Sequence, residues 1–189
     1  MTQQKLMAAA KWLIEATPGE DATREGLLET PARFAKAWQH WTSGYAEDPI
    51  AVLKSFADGG EGYDQMIFQS NIRVWSHCEH HMAPFFGVAH IGYIPDGKVV
   101  GLSKLTRLVR IFSHRLQVQE RLTQQIADSL MEGLSAKGVG VVVKCRHSCM
   151  ESRGVCEAGT ETQTTALKGL FAEDSNTQSE FMSLVNALR

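Results

Sequence analysis

Long hydrophobic runs are missing from this chain. Its apolar stretches are short and interrupted, which excludes a membrane-spanning helix, since crossing takes about 20 consecutive apolar residues. A basic segment leading into a long apolar one is missing too. The opening "MTQQKLMAAAKWLIEATPGE" instead spaces its apolar residues as an amphipathic helix does. Charge of one sign is also lacking. The net charge is −2 over 189 residues, so no broad basic face is on offer to nucleic acid, and any polyanion must find a local cluster of cations. Cysteine is scarce, with only Cys78, Cys145, Cys149 and Cys156. Without an export signal the chain is expected to be cytoplasmic, where thiols stay reduced, so metal ligation explains some of the four better than disulfides do. Repeats and low-complexity tails are absent. The length suits one domain, or one with a small appendage, that buries a core of its own.

What is present changes character near residue 60. Leu6, Ala9, Ala10, Leu13 and Ile14 form a helical stripe, and a second helix containing Leu27 and Leu28 is expected to start at Asp21 or Thr23. In "ETPARFAKAWQHW", Thr30 reads as an N-cap and Pro31 as the first helical residue, where a missing N–H costs nothing. That helix carries Phe34, Trp38 and Trp41 on one face, expected to be core, and Arg33, Lys36 and His40 on another. "FADGGEGYD" then marks a loop. Beyond it "QMIFQSNIRVW" and "FGVAHIGYI" have strand character, and "PDGK" turns into "VVGL". Ser103 is placed to cap a helix bearing Leu105, Leu108, Val109 and Phe112. A longer helix follows "QVQE", with Val118, Leu122, Ile126 and Leu130 along one side and Gly138 and Gly140 as its end. "VGVVVKCRH" and "TETQTTAL" read as strands, and Phe181, Leu184, Val185 and Leu188 mark a last helix. This order predicts an α+β fold with a mainly antiparallel sheet, residues 1–60 forming a helical segment and 61–189 the main domain.

Of only seven histidines, "SHCEHHMAPF" gathers His77, His80 and His81 around one thiol. Cys78 and His81 are three residues apart, which lets both converge on one ion from a turn or short helix. In "KCRHSCMESRG", strand alternation would put Cys145, His147 and Cys149 on one face. A Cys-His-Cys set is soft enough to favour zinc, and three protein ligands leave the fourth position open, as catalysis requires. A further ligand, His77 or Cys145, would close the site into a structural one, and Cys145 could equally be a small buried hydrophobe. Cys156, His90 and His114 carry no site reading.

Several long motifs then stand together: "CEHH", "GLSK", "QVQERL" and "HSCMESRG", with "ETPARFAKAW" upstream. In this the chain resembles GTP cyclohydrolase I over roughly residues 23–181. The resemblance implies a tunnelling fold (T-fold), with antiparallel strands and helices on one side, assembled as a homodecamer whose active sites lie between subunits. It implies Zn2+ as cofactor, held by Cys78, His81 and Cys149. It places His80 and His147 as proton-transfer residues, with Ser103 and Gln119 at further catalytic-site positions. Glu120 matches the carboxylate that binds guanine. Arg33, Lys36, Lys104, Arg107 and Arg153 match basic residues around a triphosphate, which would give a mildly acidic chain its polyanion site. The reaction implied is hydrolytic opening of the imidazole ring of GTP at C8, release of formate and reclosure to 7,8-dihydroneopterin triphosphate, with neither nucleic acid nor membrane as partner. Two other readings stand beside it. One is another T-fold enzyme acting on a pterin or deazapurine, the other a non-catalytic zinc- and nucleotide-binding protein.

Overall fold

A computed structural model describes residues 2–188. The chain divides into two compact units, Met1–Ser43 and Gly44–Arg189. No described helix is long and apolar enough to cross a membrane.

The first unit pairs helix α1 (Thr2–Glu15) with α2 (Thr30–Trp41). Ala10 and Ala35, the buried residues of these helices, are small enough to let the two backbones approach. The helix expected from Asp21 shrinks to one 3-10 turn, Glu25–Leu27. Asp21 accepts from Thr23 N and Oγ1 at 2.9 and 2.6 Å, and Arg24 grips Glu20 at 2.7 Å. Those local bonds hold the backbone in a turn that competes with helix. Glu29 rather than Thr30 occupies the N-cap of α2. The aromatic stripe is not core either. Phe34 stacks on Trp38 with centroids 5.7 Å apart, Trp38 meets Trp41 edge-on at 6.4 Å, and Trp41 stays 37% exposed. Two paired helices bury little beyond the residues directly between them.

The second unit begins with a forced close approach. Gly44 donates to His114 O at 3.0 Å and accepts two bonds from the Arg115 guanidinium, at 3.1 and 2.8 Å. A Cβ there would lie 1.9 Å from Ile111 O, so only glycine fits. The chain then forms β1 (Ser55–Phe56), β2 (Ile67–Cys78), β3 (Pro84–Ile94), β4 (Val99–Val100), α3 (Leu102–Ser113), β5 (Leu116–Gln117) and α4 (Gln119–Leu134). It ends with β6 (Gly138–His147), α5 (Ser148–Glu151), β7 (Thr162–Gly169), α6 (Leu170–Glu173) and α7 (Ser175–Asn186). Strands order as β5-β2-β3-β6-β7, antiparallel except for the short β2–β5 pair. This is the α+β, mainly antiparallel architecture expected.

Alternation builds the core. Ile72 and Val74 of β2, Ala89, Ile91 and Tyr93 of β3, and Val139, Val141 and Val143 of β6 are all buried on the face covered by α3 and α4. Those helices contribute Leu105, Leu108 and Val109, then Leu122, Ile126 and Leu130, each fully buried. Gly101, not Ser103, caps α3. Ser135, at φ 49°, ends α4 in the left-handed conformation. Gly138 and Gly140, expected to stop that helix, belong instead to β6. There Phe171 and Phe181 press on the opposite face of the sheet. A Cβ on Gly140 would come within 2.5 Å of Phe171 and 2.8 Å of Phe181. Gly140→Ala should therefore destabilise the fold by about 1–3 kcal/mol through overpacking, read as a lower urea midpoint. Because this contact lies at the other end of the sheet from Cys78, metal content should not change.

Candidate metal centre

Three strand ends and one helix start meet at one rim of the sheet. Strand β2 stops at Cys78, which pairs with Gln117 of β5. Cys78 N donates to Ala83 O at 2.9 Å, and Met82 N returns to Cys78 O at 2.8 Å, with Met82 at φ 52°. That tight turn throws Glu79, His80 and His81 outward. Two residues beyond Gln117, α4 begins with Gln119 and Glu120. Strand β3 starts here, and Phe85 stands opposite His147, the last residue of β6.

Strand alternation does not deliver Cys149. The β3 and β7 ladders give out at His147 and Cys145, and the freed backbone curls into α5, with Ser152 N on Ser148 O at 2.9 Å. The Arg146 guanidinium forks onto Glu151 at 2.7 and 2.8 Å and ties that turn back to its strand. Cys149 is thereby aimed at Cys78 from a helical turn.

The ligand atoms of Cys78, His81 and Cys149 all lie within 4.8 Å of one another. Cys78 Sγ is 3.8 Å from His81 Nδ1 and equally 3.8 Å from His80 Nδ1. Bond lengths typical of zinc put two ligand atoms of a tetrahedron roughly 3.6–3.8 Å apart, so the donor set fits such an ion. Burial raises the Cys149 thiol above its ordinary value, and the Cys78 sulfur raises it further. Two adjacent thiols resist joint ionisation, a situation that a dication reverses. Cys145 takes no part in this group. It is 1% exposed, and burial pushes its thiol up to about 12, so it is the buried hydrophobe of the two roles open to it. His77 is buried and likewise outside the group.

Around the ligands stand several of the expected residues. The His147 ring stacks on Phe85 with centroids 4.8 Å apart and planes 10° from parallel. Its Nε2 is 2.8 Å from Gln119 Oε1. Burial lowers the His147 pKa, while the nearby Glu120 charge opposes that shift. Glu120 itself is exposed at the rim. Arg153, also exposed, is close enough for its charge to act on Cys149. Beside His80, Glu79 is ion-paired to Arg121, whose guanidinium holds the carboxyl below its ordinary value. Neither Phe85 nor the Glu79–Arg121 pair carries a signal that sequence reading could have picked out.

Other expected residues are elsewhere. Ser103, Lys104 and Arg107 lie on α3, which runs along β2. Gln69 Nε2 donates to Thr106 Oγ1 at 3.2 Å, fixing that part of α3 beside the start of β2. Eight strand residues lie between Gln69 and Cys78, with a bulge between Gln69 and Ile72, so these two ends of β2 are at most about 30 Å apart. Lys104 and Arg107 are thus placed nearer the start of β2 than the end that carries Cys78. Arg33 and Lys36 are exposed on α2 of the first unit, where Arg33 pairs with Glu29.

A mainly antiparallel sheet with its main helical layer on one face, carrying a soft metal-ligand cluster at its strand ends, defines an α+β protein with a candidate metal centre at the sheet rim. The chain belongs to the GTP cyclohydrolase I family, whose model matches residues 6–186. It is 59% identical to GTP cyclohydrolase 1 of Nitrosospira multiformis over 169 residues, covering 89% of this chain and 88% of that protein. It is 60% identical to the GTP cyclohydrolase 1 of a Janthinobacterium species, over 88% of this chain and 84% of the other. With the Campylobacter lari enzyme of that name it shares 48% identity over 99% and 97%. Among solved structures, an apo archaeosine synthase QueF-Like aligns with a TM-score of 0.42 at 18% identity, over 55% of this chain and 93% of that one.

The ligand group makes a direct expectation. The protein should take up one divalent ion per chain and release protons as it does so. Cys149→Ala should lose the ion, and Cys145→Ala should keep it, as measured by metal analysis of purified protein. Stoichiometric metal in Cys149→Ala would remove that residue from the ligand set.

Proposed function

We propose that the chain catalyses zinc-dependent hydrolytic opening of the imidazole ring of GTP at C8, with loss of formate and reclosure to 7,8-dihydroneopterin triphosphate. The observation that carries this reading is the convergence of Cys78, His81 and Cys149 beside His147, Gln119 and Glu120 at one rim. When bound by those three residues, zinc supplies a Lewis acid that lowers the pKa of a coordinated water toward neutrality. The rest is work for the chain's own groups. Breaking an aromatic ring requires a proton at a ring nitrogen, and His147 and His80 are the imidazoles at the ligand group. The Glu120 carboxylate, exposed at the rim, can accept from both N1–H and the exocyclic amine of guanine. Adenine presents an acceptor at N1 and is rejected.

The triphosphate is assigned to Lys104, Arg107 and Arg153, with Arg33 and Lys36, and Ser103 lies beside the first of these. Arg153 is next to the ligands, while Lys104 and Arg107 sit in the first half of α3, beside the start of β2 and away from the rim where β2 ends. A second copy that brings its α3 to the first copy's thiols would complete the site, so the working form in this reading is a homo-oligomer, and the decamer of the family reading satisfies this. A closed structural zinc module is the weaker reading, because Cys145 and His77 are outside the ligand group.

Formate release from GTP tests the activity directly. Two further outcomes test the assignments. Glu120→Gln presents a like donor to guanine and leaves a polar group unpaired once the bound base covers it, worth about 1–3 kcal/mol. GTP affinity should fall by about 5- to 150-fold on that scale, while triphosphate binding and metal content stay as they were. Equal weakening of GTP and triphosphate would mean that Glu120 does not read the base. The second outcome concerns subunits. Cys149→Ala and a Lys104→Ala/Arg107→Ala variant should each be inactive alone, yet recover formate release when their subunits are dissociated and reassembled together. Failure of the mixed oligomer to recover, despite proven mixing, would place all these groups in one chain's site.

A further inference from the structure

Gln119 is 2% exposed, an amide buried at the first turn of α4. Its Nε2 faces Val143 O at 3.0 Å, Thr162 O at 2.9 Å and Thr164 Oγ1 at 3.1 Å. Backbone carbonyls can only accept, so the end of the amide that meets two of them must be the NH2. Turned the other way, a carbonyl oxygen would stand against two carbonyl oxygens with no hydrogen between them. The hydroxyls agree. Thr123 Oγ1 donates to Gln119 O at 2.8 Å, so in its 2.6 Å contact with Thr164 Oγ1 it must accept. Thr164 has then used its one hydrogen and has none to give the amide; both amide hydrogens go to the two carbonyls, and the Thr164 oxygen stands beside them in contact only. The two carbonyls fix the orientation of this side chain.

Its other end is therefore an acceptor, Oε1, held 2.8 Å from His147 Nε2. An acceptor requires a donor opposite, so Nε2 must carry hydrogen. Phe85, stacked flat on the ring, stops the imidazole from rotating away. The two nitrogens of an imidazole lie on different edges of the ring, so Nδ1 is left free of this network. We propose that Gln119 is a positioning residue that fixes His147 as the Nε2–H tautomer, making Nδ1 the one atom through which this ring exchanges a proton with substrate. The assignment of His147 to proton transfer rests on the functional reading above; the tautomer does not.

The test uses the full-length, metal-loaded protein labelled with 15N at histidine. Solid-state 15N spectra at about pH 8.5, some two units above the ordinary histidine value, report a neutral ring. The His147 signals are identified by their loss in His147→Ala and by proximity to the Phe85 ring. The expected spectrum has a protonated Nε2 and a bare Nδ1. A wild-type ring protonated at Nδ1 overturns the proposal whatever any variant does. Gln119→Met keeps the length and removes the acceptor. It should give mixed tautomers and about 10- to 100-fold lower turnover, the scale seen when an orienting partner is removed from a functional histidine, with metal content and KM for GTP unchanged. A variant that keeps the single tautomer, or full turnover with mixed tautomers, also overturns it. If Gln119→Met does not fold, the wild-type spectrum still decides. Formate release by the same wild-type preparation separates the two levels. Its absence would remove the functional reading and leave the tautomer to stand or fall on the spectrum.

Discussion

The pairing of Phe85 with His147, where the β3–β6 ladder ends, sets what can be built at the functional rim. Because side chains alternate across a strand, a slip of one residue in that register would turn His147 away from both Phe85 and Gln119. It would also turn Val139, Val141 and Val143, all fully buried, to the opposite face, where Phe171 and Phe181 leave no room for a Cβ at the places of Gly138 and Gly140. Overpacking of this kind typically costs about 1–3 kcal/mol per site, so a slip costs a multiple of that. The apolar middle of the sheet thus holds the polar end in place. The same ladder explains Cys149, since a strand cannot continue where its partners stop, and the turn that follows is what points this thiol at Cys78.

Two cysteines four residues apart show how far environment decides chemistry. Cys145 is sealed in the core, and its thiol is pushed up to about 12. Cys149 is raised as well, by burial and by Cys78, but it is only half-buried and has Arg153 nearby. A thiol surrounded by hydrocarbon stays a thiol. One at a rim, facing a second sulfur and an imidazole, becomes a ligand as soon as a cation neutralises the pair.

Much of the fold was legible because its signals are local. The stripes of α3 and α4, and the alternation of β2, β3 and β6, follow from periodicities that a buried face imposes directly. Element ends were less legible. Ser135 rather than a glycine stops α4, and the glycines that looked like stop signals make room for Phe171 and Phe181. That need comes from residues some 30 to 40 positions away. The aromatic stripe of α2 misled for a related reason, as periodicity marks a face without saying that anything covers it. At the rim, the local spacing of Cys78 and His81 showed itself, while the place of Cys149 depended on where two ladders end. The setting of Gln119 was beyond local reading altogether, since its partners come from residues 143, 147, 162 and 164.

The sheet that fixes this rim also limits what one chain can hold. Strand β2 is a stiff spacer between its two ends, hydrogen-bonded to β3 along most of its length. Cys78 and Glu120 are at one end, and Lys104 and Arg107 of α3 are nearer the other. A flexible fold could bring such groups together by hinge motion, but a sheet whose inner face is fully packed holds its ends apart unless its core is broken. In the function proposed above, that separation is closed by docking one rigid copy against another. Assembly would then do more than add stability. It would complete a site whose halves are placed apart by the same strand that makes each half rigid.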